Sequence, residues 1–208
     1  MKSVKKLLII ALVVAIVAPL LNSCKKGEED PWFSFYSRKT RLCQAWKFSF
    51  YKRVEQHNAT IVSYTYDGSS FRKISSNDQY ISAGSMVITF STNGTYKWEQ
   101  QTTTDTSTYN YSEQGNWYFS GKNSDGETKS KELLSLQKKD MTETSTSNNS
   151  ISTITYKGSG DLGTNVFKIV GLSSKEVHLI SEYQITNTTG GGDDIVKITT
   201  EIKLQKNL

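Results

Sequence analysis

The chain has 208 residues, 36% hydrophobic and 11% aromatic, with a formal net charge of +5. Three of its 25 basic residues (Lys2, Lys5 and Lys6) precede Cys24, so 22 of them face 20 acids over the rest of the chain, a balance of +2. With no block of Lys and Arg along one face, that balance leaves no phosphate-binding footprint and excludes nucleic acid as the expected partner.

The first segment reads as a secretory signal peptide. A basic head, MKSVKK, precedes an apolar run from Leu7 to Ala18 that Pro19 breaks. The run is shorter than the ~20 apolar residues that a bilayer-spanning helix needs. Leu21-Asn22-Ser23-Cys24 then resembles a bacterial lipobox. The resemblance implies that residues 1–23 are cut away, and that Cys24 carries diacylglycerol on its sulfur and an acyl group on its new amine. Two or more acyl chains anchor a protein stably, because each buried CH₂ contributes about 0.8 kcal/mol. The plainer reading is an exported protein whose Cys24 pairs with Cys43.

An Asp after the cysteine would resemble an inner-membrane retention signal. Lys25 stands there instead, which favours the outer membrane. Glu28-Glu29-Asp30 resembles the acidic tether of surface-exported lipoproteins in some Gram-negative bacteria, and reads equally well as a solvated spacer. If Cys24 is lipidated, Cys43 remains as a lone thiol. Its neighbours Leu42 and Trp46 favour burial over reactivity.

Residues 24–40 read as a flexible tether, whose second half (Trp32, Phe33, Phe35, Tyr36) is apolar enough to dock on the domain. Residues 41–208 form one domain. Its Thr, Ser, Tyr and Trp content, with both prolines outside it, favours strands. QAWKFSFYKRV places Trp46, Phe48 and Phe50 on one face of the first strand. TIVSYTY (Thr60 to Tyr66) ends at an Asp67-Gly68 turn. A short helix has room in residues 68 to 83.

SMVITFSTNGTYKWEQ is the clearest hairpin. A two-residue Asn93-Gly94 turn would pair Phe90 with Lys97 and Ile88 with Glu99, mixing the faces. A three-residue loop, Thr92-Asn93-Gly94, pairs Phe90 with Tyr96 and Ile88 with Trp98. A one-residue slip flips every side chain, so the apolar pattern selects the longer loop, with Gly94 as its left-handed residue.

YNYSEQGNWYFS follows, with Tyr109, Tyr111, Trp117 and Phe119 on one parity. LLSLQ, ISTITYKG, NVFKIVGL and SSKEVHLISEYQI are further strands. IVKITTEIKLQ puts Val196, Ile198, Ile202 and Leu204 on one side. The sum is an all-β domain of about eight to ten antiparallel strands in up-and-down order, a barrel or a sandwich, with no convincing helical stripe.

The order LCQAWKF, ITFSTNGTYKW, GNWYF, LLSL, FKIVGLSSKEVHLISEY is similar to that of the lipocalin-like domains on many bacterial lipoproteins. The resemblance covers roughly residues 41 to 204 and implies an up-and-down barrel. Two departures stand out. Gln44 replaces the first glycine of the family's repeated Gly-x-Trp, which Gly115-Asn116-Trp117 keeps. Residues 52 to 82 are longer than usual, which an extra hairpin or a lid over the barrel mouth would explain.

Few residues suggest catalysis. His57 and His178 are too few for a zinc site and lack the spacing of a triad, so both read as surface residues. Gly190-Gly191-Gly192-Asp193-Asp194 lacks the Lys-Ser/Thr of a phosphate loop and the alternating ligands of a calcium loop, and reads as a hairpin tip. Glu99, Glu113, Glu143 and Asp161 show no pairing, so no catalytic carboxylates, metal or cofactor are assigned.

The inward aromatics carry the functional expectation. Trp46 and Trp117 read as structural plugs, and Phe90, Tyr96 and Trp98 as candidates to line a pocket. A barrel of eight strands is either filled by its own side chains or holds one small ligand. The expected function is non-enzymatic binding of a small apolar or amphipathic ligand by an outer-membrane-anchored barrel, facing the surface or the periplasm. The alternative is a solid barrel that contacts a glycan or an envelope protein, with aromatics such as Tyr64 and Tyr66 aligned on its surface.

Overall fold

The computed structural model describes residues 30, 34, 36–58, 60–76, 78–121, 132–147, 150–158, 162–189 and 192–207. Residues 1–23, read above as a signal peptide, and Cys24 lie outside them. A five-residue helix, α1 (Arg38–Leu42), leads into eleven antiparallel strands. These are β1 (Ala45–His57), β2 (Thr60–Tyr66), β3 (Ser70–Ile74), β4 (Gln79–Phe90), β5 (Thr95–Thr103), β6 (Ser107–Ser120), β7 (Leu133–Ser147), β8 (Ser150–Lys157), β9 (Thr164–Leu172), β10 (Glu176–Thr189) and β11 (Gly192–Lys206).

Ten of them close into a ring in which each strand pairs with its neighbour in sequence, except that β7 skips to β9, and β11 closes on β1. Among the described residues β8 pairs with β7 alone. The chain is therefore an all-β, up-and-down barrel. Among the described residues from 68 to 83 there is no helix. They hold β3 and the start of β4, because Asp67 Oδ1 accepts from the backbone N–H of Ser69 (3.0 Å) and Ser70 (2.8 Å) and turns the chain back at Gly68. The described part of residues 52 to 82 is thus the end of β1, a hairpin, β2–β3, and the start of β4.

That hairpin controls the barrel's shape. β1 pairs directly with β4 over Ala45–Lys47, but with β2 over Tyr51–His57. The ring is therefore eight strands around at the Trp46 end and wider at the other, where β2 and β3 wedge in. β7 likewise pairs with β9 over Leu133–Gln137 and with β8 over Asp140–Ser147. An eight-stranded ring is just filled by side chains. Trp46, Phe48, Phe90, Trp117, Leu136, Leu172 and Leu204 fill it, each at most 5% exposed. The wider end is left partly hollow.

The β4–β5 hairpin has the register read from its apolar pattern: Phe90 pairs with Tyr96 and Ile88 with Trp98. Gly94 has φ +89° and accepts from the Trp117 N–H at 2.8 Å. The Trp117 indole N–H donates to the Ser91 carbonyl at 3.0 Å, which ties this turn to β6. A left-handed residue with a Cβ costs about 1–2 kcal/mol. Gly94→Ala is expected to lower the unfolding free energy by that amount in a denaturant titration, with no change in fold.

The expected face of β1 needs correction. Trp46 and Phe48 point inward, but Ser49 is an extra residue between the pairs Phe48–Leu204 and Phe50–Lys203. The bulge shifts the parity, so Tyr51 turns inward and Phe50 outward, with the Lys203 ammonium 5.7 Å from its ring centroid. Similar extra residues, Lys139 in β7 and Val170 in β9, keep Leu136, Met141, Ile169 and Leu172 on the inner side despite their irregular spacing. β11 needs no such device. Val196, Ile198, Ile202 and Leu204 are all buried as its alternation implies.

Candidate functional site

The wide half of the barrel holds an open cup of about 630 Å³, within the ~300–1,000 Å³ range of small-molecule sites. Its floor is Trp98 with Met86 and Tyr51. The Trp98 ring lies 4.8 Å from Phe48, tilted by 39°, and meets Tyr51 edge-on at 6.2 Å. Tyr51 is there only because the Ser49 bulge turned it inward. The β2–β3 hairpin supplies the opposite wall through Tyr64 and Phe71, with Lys73 over the Tyr64 ring at 5.6 Å. Gly84 makes that wall possible, since a Cβ there would sit 2.8 Å from the Phe71 ring and 2.1 Å from the Gln101 carbonyl oxygen.

Polar groups cross the aromatic lining. Arg53 Nε donates to Glu55 Oε1 at 2.6 Å, both partly buried. Gln100 and Thr102 face the cup from β5, and Tyr109 and Glu143 bond each other across β6 and β7. Two lining groups are buried without a hydrogen-bond partner, the Ser82 hydroxyl and the Trp98 indole N–H. Beside the cup, Glu113 is 5% exposed. Its carboxylate accepts from the Tyr96 hydroxyl at 2.9 Å and from the Tyr111 hydroxyl, and pairs with the Lys138 ammonium at 3.0 Å.

Burial pushes the Tyr51 phenol up to about 12, against the pull of the neighbouring Arg53 guanidinium. Tyr109 is likewise raised to about 12, first by burial and then by Glu143. A phenol whose folded pKa exceeds its unfolded value of ~10 contributes stability below pH ~10 and loses it as pH rises toward 12. For Tyr51 the loss is on the order of 2 kcal/mol. Tyr51→Phe is expected to flatten the decline in stability between those pH values, measured by denaturant midpoints across the alkaline range.

Of the residues expected to line a pocket, Trp98 does. Phe90 and Tyr96 lie deeper, each 2% exposed. Phe90 meets Trp117 edge-on at 5.8 Å, and Tyr96 is occupied with Glu113. Cys24 is outside the described residues, and so is Asp161. Trp46 and Trp117 sit in the packed end. Tyr66 is buried against Phe71, with ring centroids 4.4 Å apart, and Tyr64 faces the cup, so neither forms a surface array. His57 is exposed, and His178 meets Glu201 at 3.1 Å on the outer side of β10 and β11. Glu99 is exposed beside Lys97. Glu113 and Glu143 both project into the barrel, which their spacing in the sequence did not suggest. Among the described residues no group of His, Cys, Asp and Glu could hold a metal ion.

The closed end has its own polar cluster. Asp30 accepts from the Leu172 backbone N–H at 2.8 Å and from the Arg38 guanidinium at 3.5 Å, with its side chain fully buried. Arg41 donates to the Leu172 carbonyl, and the Trp46 indole N–H to the Leu42 carbonyl at 2.8 Å. Asp30 and α1 thus cover the narrow end, opposite the cup. Cys43 beside them is half-buried, and burial raises its thiol pKa.

A larger depression, about 900 Å³, lies over β9, β10 and β11, lined by Lys52, Val166, Lys168, Ile180 and Glu182. Most of these side chains belong to the barrel's outer side, whereas the cup is lined from seven strands. No family model, curated protein or solved structure matches the chain.

Proposed function

We propose that the chain is an outer-membrane lipoprotein anchored through Cys24, whose lipocalin-like barrel binds a small amphipathic ligand in the cup without transforming it. The observation that carries this reading is the hollow wide end, where aromatic faces and hydrogen-bonding groups converge on one space. A purely apolar ligand fits less well, because it would strip water from Arg53, Glu55 and Glu143 without replacing its hydrogen bonds.

The tether supports a definite orientation. Five residues lie between Cys24 and the docked Asp30. The six steps from one to the other, at 3.3–3.6 Å each, reach about 20 Å at most. A lipid on Cys24 therefore holds the narrow end toward the membrane and turns the cup away from it, to whichever side the anchor faces.

The exposed strand β8 favours a second reading, an interaction protein. Ile151 (74% exposed), Ile154 and Tyr156 stand on a strand with no second neighbour among the described residues.

Native mass spectrometry of the full chain released from its own membrane tests the first reading. The expected result is a lipidated polypeptide with a dissociable small molecule, absent from a Gln100→Trp variant whose indole fills the cup. A wild-type mass equal to that of the bare polypeptide, with no acyl chains, would overturn it.

A further inference from the structure

Taking the cup to be the binding site, we propose that its ligand is a neutral, hydroxyl-rich ring compound of the short-oligosaccharide class. The lining excludes the other chemistries in turn.

An anion would find Arg53 already held by Glu55 at 2.6 Å, and would meet the Glu143 carboxylate, with only Arg72 and Lys73 at the hairpin wall to attract it. A cation would meet Arg53, Arg72 and Lys73. With three cations and two carboxylates in the lining, neither sign dominates. An acyl chain would cover paired charges and the Gln100 amide with methylenes, which return no hydrogen bonds.

A sugar ring answers both halves of the lining. Its C–H face is apolar and lies flat on an aromatic ring, and Trp98, Tyr64 and Tyr80 offer such rings at the floor and rim. Its hydroxyls both donate and accept. They match Gln100, which does both, the Arg53–Glu55 pair, which offers each on adjacent atoms, and Thr102. The Ser82 hydroxyl and Trp98 indole N–H are closed off from the cup and take no part in this match. A sugar hydroxyl also brings no charge into the mixed lining.

The full chain is titrated calorimetrically, in a detergent without a sugar headgroup, with maltotriose, cellotriose, chitotriose, xylotriose and mannotriose. Inorganic phosphate, choline and dodecanoate are run beside them against detergent-only blanks. The expected result is saturable one-to-one binding of at least one trisaccharide at millimolar or lower concentration, weakened about tenfold or more by Gln100→Ala and by Tyr80→Ala. Tyr80 is 50% exposed at the rim, so its removal leaves the core intact. If dodecanoate, choline or phosphate binds and no trisaccharide does, and Gln100→Trp abolishes that binding, the sugar assignment is wrong and the cup remains a site. If a trisaccharide binds equally to both alanine variants, it binds elsewhere and the proposal fails. If nothing binds, the proposal fails together with the functional reading beneath it.

Discussion

Glu113→Ala is expected to destabilise the barrel by about 3–5 kcal/mol, the range for removing one partner of a buried ion pair. The carboxylate accepts from three donors on three strands: the Tyr96 hydroxyl of β5, the Tyr111 hydroxyl of β6 and the Lys138 ammonium of β7. Alanine removes this shared acceptor and leaves a void beside them. Tyr96 is 2% exposed, whereas the Lys138 side chain is 21% exposed and can swing toward water. The loss is therefore expected at the low end of the range if Lys138 escapes.

Glu113→Gln keeps an acceptor oxygen and the shape, and is expected to cost about half as much or less. It has a second signature. Burial first, and then the Glu113 carboxylate, hold the Tyr111 phenol far above the usual tyrosine range. With the charge gone, Tyr111 is expected to ionise at lower pH, read from its ultraviolet phenolate absorbance. An unchanged titration would show that the two groups do not sense each other.

Asp30→Ala is the second large effect, again with an upper value of about 3–5 kcal/mol. It leaves the Leu172 N–H unsatisfied and Arg38 with only the weaker attraction of Glu132. Arg38 is 7% exposed, its Nε and Nη1 already lack partners, and burial lowers its pKa. The protein has an escape, however, because α1 can detach and carry Arg38 into water. The global cost is then capped by the free energy of docking α1, and the mutation shows itself as local release. Limited trypsin digestion is expected to cut after Arg38 or Arg41 in the variant well before the wild type is cut there. Equal cleavage rates would mean that Asp30 does not clamp the segment.

Much of the barrel was legible in the sequence because two-residue alternation maps directly onto inside and outside. β11 and the β4–β5 hairpin are plain cases, and the register of the latter follows from testing two loop lengths against one apolar face. The cup was not legible, for a reason visible at Ser49. A single inserted residue reverses parity without a signature in the residue types, so the face shared by Trp46, Phe48 and Phe50 gives no sign that Tyr51, Arg53 and Glu55 turn inward. The same limit hid the Glu113 cluster, whose three donors come from three strands and meet only after the Lys139 bulge is placed. Phe90 and Tyr96 share their face with Trp98, but they sit nearer the narrow end, and alternation says nothing of depth along a barrel. Asp30 read as part of an acidic spacer, because its partner is a backbone N–H that lies 142 residues away.

Ligand binding in the cup requires a wide end that is open and hollow. Gln100→Cys in the full chain, treated with a small cationic methanethiosulfonate reagent, measures that directly, with the unsubstituted chain as the background for Cys43. Modification is expected within about tenfold of the rate at a Tyr80→Cys rim position. A cysteine at position 100 that reacts only in denaturant would mean that the β2–β3 hairpin closes down on Trp98 and leaves no cup.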